Sequence, residues 1–345
     1  MKKVLFIDRD GTILTEPEDG QVASLENFRF IPGAISGLAR IARETDYELV
    51  MVTNEEDFSP SHDKVLQILR DEGVEFAEVL EKTPARKNGT ARLVKFLAQG
   101  VDLDNSFVIG DGIADVELAK NLGCGAVFFS KNNSDDTALS AASWDEICNF
   151  LGSRPRTATV HRKTKETDIL VRLNIDGTGK RRINTGIGFF DHMLDQVARH
   201  GSFDLEINAN GDRTDDGHHL TEDVAICLGE AFRKATGSRK GIERYSFVLP
   251  MDDCLAQAAV DIGGRPWLVW EVELKKPKTG EMPSEMFFHF FKSFSDNAKC
   301  SINIKAEGSN EHHKIESVFK AFARALKLAV KKTDNHDLPS TKGKL

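Results

Sequence analysis

The chain has 345 residues, too many for one ordinary core, since single cores stop growing at roughly 250 to 300 residues, so about two domains are expected. Lys plus Arg number 46 against 54 Asp plus Glu, a formal net charge of −8 with no long basic run, which excludes a nucleic-acid binder working through a basic face. Hydrophobic residues at 40% and charged residues at 29% are the proportions of a globular chain with real cores, not of a disordered one.

Taken in chain order, the apolar runs 4–7, 48–52 and 107–109 read as buried parallel strands, each ending at polar or glycine residues. Segments 34–43, 63–72, 90–98 and 115–122 have helical spacing, and the alternation predicts an open, Rossmann-like α/β sheet over a domain 1–153. The pattern lapses at 152–156, the expected linker. In the second domain, 157–345, strands are expected at 169–175, 203–209, 256–262, 268–274 and 301–306, and long helices near 222–235 and 316–331. This half repeats itself. Phe189-Phe190-Asp191-His192 precedes His218-His219-Leu220-Thr221-Glu222 by 26 residues, His to His, and His289-Phe290-Phe291 precedes His312-His313-Lys314-Ile315-Glu316 by 23. An α+β sandwich of two duplicated halves follows, each with one sheet segment and one helix.

No apolar run approaches the roughly 20 residues of a membrane helix, and no signal peptide is readable, so no membrane partner is expected. The five cysteines (Cys124, Cys148, Cys227, Cys254, Cys300) form no CxxC pair and read as reduced, buried thiols of a cytoplasmic protein.

Asp8-Arg9-Asp10-Gly11-Thr12 follows the first strand directly, which puts Asp8 and Asp10 at the carboxyl edge of the sheet, where open α/β folds bind ligands. One carboxylate can attack phosphorus while the other moves the leaving-group proton, and together they suit Mg²⁺, which they need in order to be jointly ionised. Thr53 and Asn54 offer a hydroxyl and an amide to phosphate oxygens, Lys87 can neutralise developing charge, and Gly110-Asp111 with Asp115 adds metal-binding carboxylates. DxDGT, then Thr, then Lys, then GDxxxD resembles the haloacid dehalogenase-like phosphatases. That resemblance implies that Asp8 becomes an aspartyl-phosphate, Asp10 is general acid/base and a metal ligand, Thr53 and Lys87 bind phosphate, and Asp111 binds Mg²⁺. Segment 76–86 has neither the Cys nor the His of the zinc loop found in many of these enzymes, so no zinc is expected. Glu55 and Glu56 stand where Gln-Asp is usual, and Gly112 and Ala114 where Arg and Thr are common.

In each His-His-x-x-Glu motif the Glu shares a helix face with both histidines, yet adjacent histidines diverge by about 100°, so the two of one pair should serve different metals. His192, His218, His219, His289, His312 and His313 with Glu222 and Glu316 then divide into two sites of three His and one Glu. Imidazole plus carboxylate without thiolate suits Mn²⁺, Fe²⁺ or Zn²⁺, with Mn²⁺ preferred.

From about residue 157 onward the chain resembles imidazoleglycerol-phosphate dehydratase, on the strings Thr164-Lys165-Glu166-Thr167, Thr185-Gly186-Ile187-Gly188-Phe189-Phe190-Asp191-His192, Pro250-Met251-Asp252, Gly263-Gly264-Arg265-Pro266 and Pro339-Ser340-Thr341-Lys342-Gly343. The resemblance implies two Mn²⁺ per site holding the substrate imidazole as imidazolate, Glu166 as a proton-transfer residue, and Arg244, Arg265, Lys320, Ser340 and Lys342 on the substrate phosphate. It also implies a homo-oligomer of 24 subunits with sites completed between neighbours. Gly217 and Glu311 replace aspartates of that family beside the ligands. Both halves together resemble the bifunctional histidine-biosynthesis enzymes, whose N-terminal part is a histidinol-phosphatase. The substrates implied are small phosphorylated imidazoles. A dehydratase with an N-terminal domain of other substrate or interaction role, and a metal-storage assembly, are the alternatives.

Overall fold

A computed structural model of the chain describes residues 2–15, 28–53, 60–81, 96–98, 100–132, 134, 136–211, 217–333 and 337–342. The chain divides into two compact units, Met1–Arg154 and Pro155–Leu345.

The first unit is built on strands β1 (Lys3–Asp8), β2 (Tyr47–Thr53), β3 (Phe76–Glu81), β4 (Phe107–Gly110), β5 (Gly125–Phe129) and β6 (Leu139–Ala141). They form one parallel sheet in the order β3-β2-β1-β4-β5-β6. This is the Rossmann-like α/β arrangement expected from the alternation, with three further strands, β3, β5 and β6. Chain order runs outward from β1 to β3 on one side and from β4 to β6 on the other, so the topological switch point lies between β1 and β4. Helices Ala34–Glu44, Pro60–Asp71 and Ile113–Leu122 lie between strands, and Trp144–Ser153 follows the last of them. The helix expected at 90–98 falls mostly outside the described residues. One sheet face packs Leu5, Ile7, Met51 and Ile109 against Leu38, Ile41, Trp144 and Ile147, and the other buries Val4, Phe6, Val50 and Val108 with Phe96 and Ala119. Burial on both faces explains why these strands read as unbroken apolar runs.

The second unit has two four-stranded sheets. One comprises β7 (Thr157–Lys163), β8 (Thr167–Asn174), β9 (Arg181–Asn184) and β10 (Asp204–Gly211) in the order β7-β8-β10-β9. The other comprises β11 (Tyr245–Met251), β12 (Cys254–Asp261), β13 (Trp267–Val272) and, after a small hairpin of β14 (Lys278–Thr279) and β15 (Met282–Pro283), β16 (Ser301–Glu307), in the order β11-β12-β16-β13. In both sheets the last pair is parallel and the rest antiparallel. The halves therefore share one topology, and the duplication read from the histidine motifs is a duplication of fold.

Each half carries two helices, not the one expected: Gly188–Gly201 and His218–Thr236 in the first, Glu285–Ala298 and Glu311–Ala329 in the second. The additional helices are the Phe-rich segments. Ile187 is not a capping residue, Ser284 gives its hydroxyl to the Lys276 carbonyl and makes no cap, and Phe287, Phe288, Phe290, Phe291 and Phe294 are residues of strand preference. Tertiary packing decides instead. Phe190 meets Phe290 at 5.6 Å between ring centroids, and Phe291 meets Phe319 at 5.0 Å and Phe322 at 5.1 Å, inside a single core that spans both halves. Helix 188–201 packs on helix 311–329, and helix 218–236 on helix 285–298, so every helix pair joins the two halves. No described helix is long and apolar enough to cross a membrane.

Candidate functional site

The first unit gathers carboxylates at the switch point. Asp8, at the end of β1, is buried, and its carboxylate comes within 4.8 Å of those of Asp111, just past β4, and Asp115, in the first turn of helix 113–122. The register Ile7↔Ile109 fixes these strand ends side by side. Two glycines make the room: a Cβ on Gly11, whose φ is 76°, would overlap the Asp111 carboxylate, and one on Gly110 would overlap that of Asp115. Asp115 also accepts from the Gly112 N–H at 3.1 Å, which aims it back at the sheet edge. Three hard oxygen donors in so small a space suit a magnesium ion and need a cation to be ionised together.

Asp10 stands apart from this cluster. Its carboxylate is gripped by the Arg9 guanidinium, Nε to Oδ1 at 3.0 Å and Nη2 to Oδ2 at 3.1 Å, and the buried Arg9 is in turn 3.3 Å from Nδ1 of the buried His62. Sequence reasoning grouped Asp10 with Asp8 on their two-residue spacing, but a charged neighbour of opposite sign takes its carboxylate. Neither Arg9 nor His62 carried a sequence signal for this role. Thr53 is buried at the end of β2, beside the same edge. Asn54 and Lys87 lie outside the described residues.

The second unit holds two histidine clusters, and both cross between the halves. His192, on helix 188–201, joins His312 and Glu316 on helix 311–329: the His192 and His312 Nε2 atoms lie 3.7 and 3.3 Å from Glu316 Oε2. His289, on helix 285–298, joins His218 and Glu222 on helix 218–236, with His289 Nδ1 2.8 Å and His218 Nε2 3.2 Å from Glu222 Oε1. In each cluster the ligand atoms lie within 4.8 Å of one another. The pairs His218/Glu222 and His312/Glu316 follow from i,i+4 spacing, whereas the third member comes from the opposite half, which spacing alone does not reveal.

His219 and His313 belong to neither cluster. The two histidines of each motif diverge, and His313 turns to Asp253, Nδ1 to Oδ1 at 2.9 Å. Two imidazoles and one carboxylate form a borderline-to-hard donor set that fits Mn²⁺ with coordination positions open. Gly217, which departs from the family's Asp, opens helix 218–236 at φ 77°, and a Cβ there would sit 2.7 Å from Ile187 Cδ1. The backbone conformation and the close approach both favour glycine.

Lys320 Nζ lies 2.8 Å from Glu316 Oε1. Burial pushes the Glu316 carboxyl up, but the Lys320 hydrogen bond and charge, aided by His192 and His312, outweigh it and hold the group below the usual range. Arg244 is clamped by Asp261 (Nε to Oδ1 2.5 Å, Nη2 to Oδ2 3.0 Å) and donates through Nη1 to the Pro339 carbonyl at 2.7 Å. A Cβ on Gly263 would lie 2.8 Å from Arg244 Nη2. Arg244, the Gly263-Gly264-Arg265 loop and the tail bearing Ser340 and Lys342 therefore converge. Ser340 Oγ accepts from the Lys342 N–H at 3.2 Å, and Arg265 is exposed. Glu166 is exposed in the turn between β7 and β8, its N–H bonded to Thr164 Oγ1 at 3.1 Å.

A family model described as imidazoleglycerol-phosphate dehydratase matches residues 185–326. A "Histidine biosynthesis bifunctional protein HisB" from Spirosoma linguale is 50% identical over 382 aligned positions, covering all of both chains. Among solved structures, imidazoleglycerol-phosphate dehydratase from Staphylococcus aureus is 36% identical with a TM-score of 0.47, covering 51% of this chain and 99% of its own. D,D-heptose 1.7-bisphosphate phosphatase from B. bronchiseptica, complexed with magnesium and phosphate, is 20% identical with a TM-score of 0.37, covering 44% of this chain and 98% of its own.

Proposed function

The chain belongs to the family of the histidine biosynthesis bifunctional protein HisB, and on that premise we propose that residues 157–345 dehydrate imidazoleglycerol phosphate to imidazoleacetol phosphate while residues 1–153 hydrolyse histidinol phosphate to histidinol and phosphate. The protein is a bifunctional enzyme of histidine biosynthesis, a lyase and a phosphatase in one chain. The two reactions are non-consecutive steps of one pathway.

The observation that carries the dehydratase reading is the pair of crossed clusters, each with two imidazoles and a glutamate facing one point. His192, His312 and Glu316 would hold one Mn²⁺, and His218, Glu222 and His289 the other. His219 and His313, which stand outside the clusters of their own chain, would complete those of neighbouring subunits in an assembly of 24. Bound there, Mn²⁺ would favour the imidazolate form of the substrate ring, whose electrons can expel the hydroxyl on the carbon attached to it. The hydroxyl on that carbon leaves and Glu166 takes the proton from the second carbon, the two departing together as water, and the resulting enol, with its hydroxyl on the second carbon, becomes the ketone of imidazoleacetol phosphate. Arg244, Arg265, Lys320, Ser340 and Lys342 hold the phosphate, which fixes the carbon chain against the proton-transfer group.

In the phosphatase half Asp8 attacks phosphorus while Asp10 gives a proton to the departing histidinol oxygen. Water, deprotonated by Asp10, then cleaves the aspartyl-phosphate and restores Asp8. Asp111 and Asp115 with Asp8 would hold Mg²⁺, which neutralises the crowded carboxylates and the phosphate, and Thr53, Asn54 and Lys87 grip the phosphate oxygens. Arg9 holds the Asp10 carboxylate apart from the three metal-binding carboxylates. A cytoplasmic location fits a biosynthetic enzyme with phosphorylated substrates and five free thiols.

The test is phosphate release from histidinol phosphate by the purified chain with Mg²⁺, with Asp8→Asn as the blank. Release that disappears in the variant is expected. No release above the blank, with dehydration of imidazoleglycerol phosphate intact in the same sample, would assign the first unit another substrate.

A further inference from the structure

We propose that Asp253 is a positioning residue that sets the tautomer of His313 and so makes that histidine competent to bind metal; this rests on His313 being a ligand. Asp253 lies in the short turn between β11 and β12. Its Oδ2 accepts three hydrogen bonds from the start of the metal-bearing helix: Ser309 N–H at 2.8 Å, Ser309 Oγ at 2.7 Å and Asn310 N–H at 3.0 Å. Its Oδ1 faces His313 Nδ1 at 2.9 Å. Asn310 in turn caps that helix, its Oδ1 accepting from the N–H groups of His312 and His313 at 3.0 and 3.3 Å.

The consequences are chemical. A carboxylate that already accepts from three donors stays ionised and can only accept from the ring. The proton therefore resides on Nδ1, and Nε2 is left with its lone pair free for a metal. Among the described residues Nε2 makes no hydrogen bond. Duplication adds a comparison: the equivalent turn of the first half, between β7 and β8, carries Glu166. One half uses this turn for the proposed proton transfer, and the other uses it to orient a ligand.

Asp253→Asn separates orientation from shape. The three donors at Oδ2 hold the amide oxygen there, which forces the amide NH₂ toward His313 Nδ1. Nδ1 then becomes the acceptor, the ring proton moves to Nε2, and that nitrogen can no longer bind metal. The experiment titrates Mn²⁺ into metal-free full-length protein by calorimetry and paramagnetic resonance, beside the melting temperature of each metal-free variant. Asp253→Asn should weaken one of the two Mn²⁺ sites about 10- to 100-fold, the range of lost outer-shell partners, with the metal-free melting temperature unchanged. Ser309→Ala, which removes one donor but keeps the Asp253–His313 contact, should leave both sites near their original affinity. Wild-type Mn²⁺ affinity in Asp253→Asn, or an equal loss in Ser309→Ala, would overturn the proposal and leave Asp253 as an anchor of the turn. His313→Ala is the control for the premise: full Mn²⁺ binding in that variant would show that His313 is no ligand at all.

Discussion

Asp8, Asp111 and Asp115 are brought together by a backbone ladder, since β1 and β4 are hydrogen-bonded neighbours and both carboxylate-bearing ends fall at one sheet edge. The histidine clusters have no such ladder. His192 reaches His312 and Glu316, and His289 reaches His218 and Glu222, only because helices of opposite halves pack through a shared phenylalanine core. A ladder fixes residue positions through regularly repeated hydrogen bonds, whereas helix packing fixes them through the fit of many side chains. The first kind of site depends on a few residues near the edge, and the second depends on both halves being folded.

The largest break between the two regions should come from Asp8→Asn. Phosphate release should fall at least about a thousandfold, as for loss of a nucleophile, while dehydration in the same sample is unchanged; a parallel loss of both activities would mean that the units are not separable. Glu316→Gln removes a carboxylate shared by two histidines. It should weaken one Mn²⁺ site by about a hundredfold or more, given that even outer-shell losses reach that size, and leave phosphate release intact, as read by metal titration beside a phosphate assay. Gly110→Ala places a methyl against the Asp115 carboxylate. A shift of that group should slow phosphate release about tenfold, roughly 1.4 kcal/mol of barrier, with no change in dehydration.

The smallest effect concerns the stability of the second unit. Burial raises the Asp176 carboxyl, but hydrogen bonds and charge from Arg156 outweigh it and hold the group below the ordinary range. Arg156 Nη2 also donates to the Val330 carbonyl at 2.8 Å, tying the start of β7 to the end of helix 311–329. A carboxylate depressed in the folded state contributes stability that is fully present above its unfolded value, near 3.9, and lost as pH falls through the folded one. Asp176→Asn should therefore cost about 1 kcal/mol at neutral pH, with the gap to wild type constant down to about pH 5 and closing in acid. A gap that widened in acid would contradict the assignment.

Much of the first site was legible because Asp8, Thr53 and Asp111 sit at or just past strand ends, and strands buried on both faces announce themselves as apolar runs. What the sequence did not disclose is the partner of Asp10: Arg9 is an ordinary turn residue until the fold buries it beside His62. In the second unit the ligand types and the divergence of paired histidines could be read from helical geometry. The crossing could not, since it requires knowing that helices 188–201 and 285–298 exist, and these make no side-chain caps and open on phenylalanine-rich turns. Asp253 was equally silent, because a turn aspartate acquires its role only when the start of helix 311–329 is laid against it.

The crossed arrangement is tested most directly by counting Mn²⁺ per chain in a double-mutant comparison of His192→Ala with His312→Ala and of His192→Ala with His289→Ala. Two residues of one cluster are coupled, so the first double variant should lose no more metal than either single one, while the second should lose both sites. If instead the variant carrying His192→Ala with His312→Ala lost two ions, each histidine would serve a site of its own half, and the clusters would not cross between the halves.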